Sequence, residues 1–444
     1  MSYCKVQSEE RLEYEQLFNE FITGCKTEQK LGMEYERIPV SKYTKEVVPY
    51  DGEFGICELL RQFAKVDNWD YILDGDEIIG LKKLHDTITL EPGCQLELSI
   101  EPQDSVESIK KKISEIDNNL KPLLEEFEIE LLNFGVSPKT TYKNIKLIPK
   151  KRYHLMANYL WGILSDVMMR ETAGIQVGID YKSEEDAMRK FKLANKLSPF
   201  MTAMFANSPI RGGVDTGYKS FRALSWLNTD NDRCGFAGKI SEEFSFDEYI
   251  DCVMKTPMLF IQRNNMLFEI NGDITFEEFM HNGWKGEDSS IEDYELQANL
   301  YFPEVRMRNF IELRNTDCVG GNLKYAIPAI YKGIMYSKDA MSECEELFKH
   351  LQYKDFSELR YNVPKHALDT KIKNATVLDY SKEIIKIAEK HLSEMNTGEE
   401  ILLEAIKEYT FNNICPADLI LKNWYGDWNK DVSKLVNYLN SLEN

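Results

Sequence analysis

Leu31 to Val40 reads LGMEYERIPV, with Glu34 and Glu36 two residues apart between Gly32 and Pro39. In an extended strand alternate side chains share a face, so the two carboxylates project together while Met33 and Tyr35 turn towards whatever packs behind. Two like charges on one face repel unless something positive stands between them, and a bound divalent cation is the usual remedy. An edge strand with a solvated acidic face has the same spacing. The stretch alone leaves both readings open, and the fold turns on the choice.

Three further segments repeat the pattern. Thr87–Ile100 reads as one strand region with a bulge or kink at Pro92-Gly93; Gln95, Glu97 and Ser99 share a parity there, opposite Leu96, Leu98 and Ile100, and Glu91 has the same parity. In Gly174–Tyr181, Gln176 and Asp180 share one face and Ile175, Val177 and Ile179 the other. In a strand over Val305–Leu313, the run FIELR places Glu312 and Arg314 together, opposite Ile311 and Leu313. One such face is commonly just solvated. Four of them, built from carboxylates, amides and an arginine, predict a curved sheet around a cavity of hard oxygen ligands, a set that suits Mg²⁺. Mg²⁺ in such a site implies a nucleotide, yet neither a G-x-x-x-x-G-K-S/T loop nor a G-x-G-x-x-G fingerprint occurs. Metals and arginines must then hold the phosphates of ATP. Arg152 in IPKKRYHLM, Arg222 in SFRALSW and Arg233 in WLNTDNDRCG are available, each also readable as a salt-bridge partner. Arg314, two residues from Glu312, is placed to neutralise transferring phosphoryl oxygens.

The rest of the chain predicts helices over Ser8–Ile22, Phe54–Ala64 and Ser105–Phe127, the last kinked at Pro122. A hairpin over Trp69–Leu81 turns at Asp74-Gly75, and Glu128–Val136 has strand character. One long apolar helix is expected from Tyr153 to about Arg170, and one from a Ser183 cap through Leu197. Ser245 caps Phe246–Lys255, Pro257–Ile270 forms a hairpin around Asn264-Asn265, and most of the chain after Leu323 is helix. No linker, repeat or regular βαβ alternation interrupts this. The expectation is one α+β domain over residues 1–444, helices around a largely antiparallel sheet, with a mostly helical subregion over 340–444.

Composition narrows the partners. A net charge of -20, from 54 basic and 74 acidic side chains, disfavours nucleic acid or an anionic membrane surface. Nine scattered cysteines without a C-x-x-C pair argue against a disulfide framework or zinc site and for a reducing compartment. The acidic start, MSYCKVQSEERLEYEQ, lacks an apolar h-region and no membrane span follows, so a cytoplasmic protein is expected. Oligomeric state is not legible.

Several motifs resemble the glutamate–cysteine ligases of the plant and proteobacterial type: TLEPGCQLELS (89–99), TAGIQVGIDY followed by FANSP (172–209), WLNTDNDRCG (226–235), FPEVRMRNFIELRNTD (302–317) and CPADLILKNWYGDW (415–428). They occur in the family's order over nearly the whole chain. The resemblance implies a glutamine-synthetase-like fold, a curved antiparallel sheet forming a funnel with helices outside. It implies ATP-dependent joining of the γ-carboxylate of L-glutamate to the amine of L-cysteine through γ-glutamyl phosphate, the first step of glutathione synthesis. It also implies Glu34, Glu36, Glu97, Gln176 and Glu312 as Mg²⁺ ligands, Glu91 as a weaker one, and Arg314 at the transferring phosphate. Arg222 would bind glutamate, and Trp226, Asp230 and Arg233 would shape the substrate and nucleotide region. Cys94 stands where the family has a second Gly, Gly178 where it usually has Asn, ALSW replaces S-H-I-W, and ELRNTD replaces EMRGAD. The ligand positions survive, so the ligase chemistry is expected more firmly than the acceptor, which is cysteine or another amine. A non-catalytic regulator that binds metal or nucleotide, and a metal-dependent phosphohydrolase, are the competing classes. On the ligase reading Glu312→Gln should abolish turnover with little loss of fold, because the metal-free site repels itself.

Overall fold

In the computed structural model, which describes residues 12–238, 244–264 and 266–442, LGMEYERIPV lies in strand β1 (Leu31–Ser41). The other strands of its sheet are β2 (Asp70–Asp74), β3 (Glu77–Lys83), β4 (Asp86–Leu90), β5 (Leu96–Gln103), β6 (Ile129–Leu132), β7 (Gly174–Ile179), β8 (Val305–Met307) and β9 (Ile311–Asp317). Their order is β8-β9-β7-β1-β5-β4-β3-β2, with β6 also paired to β1, and every pairing is antiparallel. β1 therefore has β5 along one edge and β7 and β6 along the other. The edge-strand reading is excluded.

Register does the rest. Glu36 lies opposite Glu97, Glu34 opposite both Ser99 and Gln176, and Glu312 opposite Gly178 and Arg306. Directly opposed residues in antiparallel strands hold their side chains about 5 Å apart on one face, so a single polar row crosses four strands. The alternate residues Met33, Tyr35, Leu96, Leu98, Ile175, Val177, Ile311 and Leu313 are each at most 1% exposed and belong to one continuous apolar core.

The helices that matter for the site are α1 (Tyr14–Ile22), α2 (Ile56–Asp67), α3 (Val106–Glu126), α4 (Lys151–Tyr159), α5 (Ser165–Glu171), α6 (Glu184–Met204), α7 (Phe221–Leu227) and α8 (Phe246–Met254). α3 and the helix Leu323–Met335 pack on the apolar side of β1, and α6 packs on β9. Ser105, Ser183, Ser220 and Ser245 cap α3, α6, α7 and α8, each hydroxyl accepting from an amide three residues on. From Lys338 onward the chain is mainly helical.

Several elements differ from the sequence reading. Ser8 to Arg11 lie outside the described residues, and the first helix begins at Tyr14. The hairpin Phe260–Arg263 with Met266–Glu269 is present, although Asn265 in its turn lies outside the described residues. Thr87–Ile100 is not one kinked strand but the β4–β5 hairpin. Pro92 cannot continue the ladder, Cys94 adopts φ 71°, and its amide donates to Glu91 O at 2.9 Å. Glu91 thus stands in a turn. Val305–Leu313 is likewise a hairpin, turning at Arg308–Phe310, where Arg308 N donates to Phe310 O at 2.8 Å.

The helix expected over Tyr153–Arg170 breaks into α4 and α5. A Cβ at Gly162 would stand 2.1 Å from Thr229 O, so this backbone lies directly on the loop that follows α7. Trp161 and Ile163, which a continuous apolar face would bury, are 82% and 86% exposed. The Ser183-capped helix runs past Pro199 to Met204, carried by fully buried Phe200, Met201 and Met204.

Candidate active site

The polar row faces a cavity of about 260 Å³. Glu34 and Glu36 of β1, Glu97 of β5 and Gln176 of β7 line it, with Glu91 and Gln95 from the β4–β5 hairpin. Arg306, Arg308 and Arg314 come from the β8–β9 hairpin, Arg152 and Tyr153 from α4, Met168 and Met169 from α5, and Trp226 from α7. Glu312, 1% exposed, is bonded to Arg306 and Arg314 beneath the wall.

Arg222 lines a smaller adjoining cavity of about 40 Å³, and Trp226, Phe302 and Arg314 are walls of both. Its guanidinium lies against Gly174, where a Cβ would be 2.3 Å from Nη2, and it donates to Arg314 O at 3.1 Å. Asp317 anchors the start of α7 and so this arginine. It accepts from Asn207 N and the Ser208 and Ser220 hydroxyls at 2.6–2.8 Å, which gives FANSP and ELRNTD a structural reason. Asp230 and Arg233 line neither cavity. Arg233 donates to Asp230 at 3.0 Å, to Leu300 O at 3.2 Å and to Pro257 O, fastening the WLNTDNDRCG loop to its surroundings. Asp180 shares parity with Gln176 but pairs with Lys26 and the Lys30 amide at 2.6 and 3.0 Å, away from the cavity.

Hydrogen bonds run along the row. Arg306 grips Glu312 with Nε and Nη2 at 2.7 and 3.0 Å, and Arg314 Nη1 donates to both Glu312 and Gln176. Gln176 Nε2 donates to Glu36 at 2.8 Å, and the other Glu36 oxygen accepts from Gly174 N at 2.6 Å. Glu97 accepts from the Thr89 and Ser99 hydroxyls at 2.9 and 3.3 Å. Gln95 is spent on structure, accepting from Gly93 N at 2.8 Å and donating to Met169 O and Thr172 O at 3.2 and 2.9 Å.

The carboxylates divide into two kinds. Burial and the nearby Glu91 push Glu36 up to about 7 against the pull of Arg222. Burial, Glu91 and Glu36 push Glu97 up to about 8, and burial with Glu312 and Glu97 raises Glu34 well above the carboxylate range. Glu312 is the opposite: burial would raise it, but Arg306 and Arg314 outweigh burial and hold it at about 2. Burial and Arg152 together lower the Lys150 ammonium to about 8.

Do these residues fit Mg²⁺? Among the described residues no three His, Cys, Asp or Glu side chains already converge on one metal position. Mg²⁺ rarely uses an all-protein cage; it takes one or two carboxylates and completes its shell with water and substrate phosphate. The oxygen-rich, self-repelling set of Glu34, Glu36, Glu97 and Gln176 fits that mode. Glu312 fits less simply, because three of its roughly four lone-pair sites are taken by guanidinium donors. The two cavities also suit anions, for among the described residues the buried donors Arg152 Nε of the larger, Arg222 Nε of the smaller and Trp226 Nε1 of both have no acceptor.

The repulsion has a measurable sign. A carboxyl whose pKa the fold raises stabilises the protein below its ordinary value of 4.5, and that stabilisation is lost as the pH rises through about 8. In chelator at pH 8.5, Glu97→Gln should melt about 1–2 °C above the parent chain, the gap closing towards pH 5. Calorimetry showing the variant less stable at pH 8.5 would remove the repulsive reading of this face.

Sequence reasoning missed Arg306, Arg308, Tyr153 and Lys150. Arg306 sits in FPEVR, six residues from Glu312, and its role becomes legible only once the hairpin turn is placed. Tyr153, beside Arg152, donates to Glu91 at 3.2 Å and accepts from Lys150 at 3.2 Å. Gly178 is covered by the Phe310 ring, 3.1 Å from where a Cβ would stand.

The profile of the family described as glutamate-cysteine ligase family 2 (GCS2) matches residues 30–437. The chain is 32% identical over 445 residues to the chloroplastic glutamate–cysteine ligase of Solanum lycopersicum, an alignment covering 98% of this chain and 84% of that one. The Arabidopsis thaliana chloroplastic glutamate–cysteine ligase matches at the same identity and coverage. Among solved structures, the Francisella tularensis glutamate–cysteine ligase in complex with AMP superposes with a TM-score of 0.55 at 12% identity, over 94% of this chain and 90% of that one. At such identity the likeness shows a shared fold alone.

Proposed function

The chain belongs to glutamate–cysteine ligase family 2, and on that premise we propose that it joins the γ-carboxylate of L-glutamate to the amine of L-cysteine at the expense of ATP. This is the first step of glutathione synthesis. The observation that supports it most is the meeting of carboxylates and arginines from four strands, two hairpin turns and one helix around one cavity.

Mg²⁺, when bound by Glu34, Glu36, Glu97 and Gln176, would neutralise phosphate charge; Glu91 and Glu312 stand at the margin of that set. Arg314, which lines the cavity and donates to Glu312 and Gln176, would meet the transferring phosphoryl group. The γ-carboxylate of glutamate attacks the γ-phosphorus, the bond to ADP breaks, and γ-glutamyl phosphate forms. The amine then attacks the acyl carbon, phosphate leaves, and the nitrogen gives up its proton. Arg222 and Trp226, at the junction of the two cavities, would orient glutamate, and Arg152 would take a phosphate of the nucleotide. Apolar Met156, Met168, Met169 and Phe302 limit the water that would hydrolyse the acyl phosphate. No protein nucleophile is required.

Mass spectrometry of a reaction with ATP, Mg²⁺, glutamate and cysteine tests this, with γ-glutamylcysteine and ADP expected in equal amounts. A panel of other amines belongs beside it, because Gly178 under Phe310 is a departure on the site face of β7. Preference for another amine would replace the acceptor and keep the class. ATP cleavage indifferent to glutamate would make the protein a phosphohydrolase, and no turnover at all would favour a regulator.

A further inference from the structure

We infer that Arg306 is a positioning residue that occupies Glu312 and thereby leaves Arg314 available to the substrate. The inference rests on the ligase reading above. Arg306 and Glu312 are directly opposed across the β8–β9 hairpin, so their side chains meet on one face without distortion. Nε and Nη2 take both carboxylate oxygens at 2.7 and 3.0 Å, the planar fork that a guanidinium makes with a carboxylate. Nη1 reaches Asn299 O and Tyr301 O at 3.3 and 3.5 Å. All three nitrogens are engaged within the chain, which marks Arg306 as framework although it borders the cavity.

Arg314 is held differently. One nitrogen, Nη1, is shared between Glu312 and Gln176, and the group lies 5.6 Å over the Trp226 ring at the junction of the two cavities. Two guanidinium groups therefore compete for one buried carboxylate, and Arg306 has the fork. Without Arg306, both Glu312 oxygens would fall to Arg314, which would turn from a shared single contact into a closed pair facing away from the phosphoryl group. Arg306 acts through Glu312 and Arg314; it touches no reacting atom.

The test uses the full chain with Arg306→Ala, Arg306→Lys, Arg314→Ala and the Arg306→Ala/Arg314→Ala pair. ADP release gives kcat and KM, and circular dichroism gives the folded fraction. Arg306→Ala should lower kcat about 10²-fold per folded molecule, the scale of a misplaced catalytic group, with KM for the amine within about twofold of the parent. Arg306→Lys keeps the charge but not the fork, and should recover about tenfold of that loss. In the Arg314→Ala background, which keeps a residual turnover to read, adding Arg306→Ala should change kcat by less than about threefold, because the group it frees is already gone.

A kcat for Arg306→Ala near that of the parent, or a loss that multiplies fully in the double variant, would overturn the inference. If Arg306→Ala does not fold, Arg306→Lys decides: full parental kcat would overturn it, and a folded protein with kcat reduced and amine KM unchanged would support it. Failure of the ligase reading appears separately, as absence of γ-glutamyl product from the parent chain before any variant is made.

Discussion

Arg314→Ala should lower kcat by about 10³-fold while the protein stays folded, because a preorganised cation at developing phosphoryl charge is worth that much. Arg314 lines both cavities and reaches Glu312 and Gln176 with one nitrogen. Its removal does not strand Glu312, whose two oxygens remain with Arg306. The backbone of residue 314 also keeps its bond to Glu304 O at 3.0 Å. The stability loss should therefore stay at about 1–3 kcal/mol, that of a deleted charged hydrogen-bond partner. ADP release and a melting curve on one preparation separate the two quantities. Parental kcat in a folded variant would leave the phosphoryl group without its proposed arginine.

Glu312→Gln should lose both activity and stability, which reverses the expectation drawn from sequence. The sequence alone describes a self-repelling site in which a neutral residue is harmless to the fold. The carboxylate is in fact the shared counter-ion of Arg306 and Arg314, and glutamine would leave two buried guanidinium groups facing each other. Breaking a buried pair from one side costs about 3–5 kcal/mol, roughly 3–5 °C of melting temperature in a chain this long. Because Glu312 is held at about 2, its contribution is complete above pH 4.5 and is lost only as pH falls from 4.5 towards 2. The gap between parent and variant should be flat from pH 6 to 8 and narrow only in acid. Glu97→Gln has the opposite slope, so two carboxylates in one small region would be told apart by pH alone.

The parity of LGMEYERIPV was enough to put Glu34 and Glu36 on one face, because a strand's period of two is local physics. Parity also placed Glu97 and Gln176 with them. It misled at Asp180, which keeps step with Gln176 but lies beyond the end of β7, among Lys26 and Lys30. It could not see turns either. The reversals at Pro92–Cys94 and Arg308–Phe310 carry the same alternation as an unbroken strand, so Arg306 opposite Glu312 stayed hidden. Asp230 and Arg233, three residues apart in a loop, are read from the chain as readily for a site as for the ion pair they form. The helix break at Gly162 depends on the Thr229 backbone arriving from far along the chain, which no local pattern records. The ligase chemistry rested on whole-chain resemblance more than on any spacing.

Met33 and Tyr35 are fixed under α3 and the helix Leu323–Met335, and their neighbours on the same backbone are Glu34 and Glu36. Close-packed interiors pass on a change of a single methylene as displacement. The tolerance of this catalytic surface to drift is therefore set from behind: a volume change at Met33 or Tyr35, far from any substrate, moves two carboxylates at once.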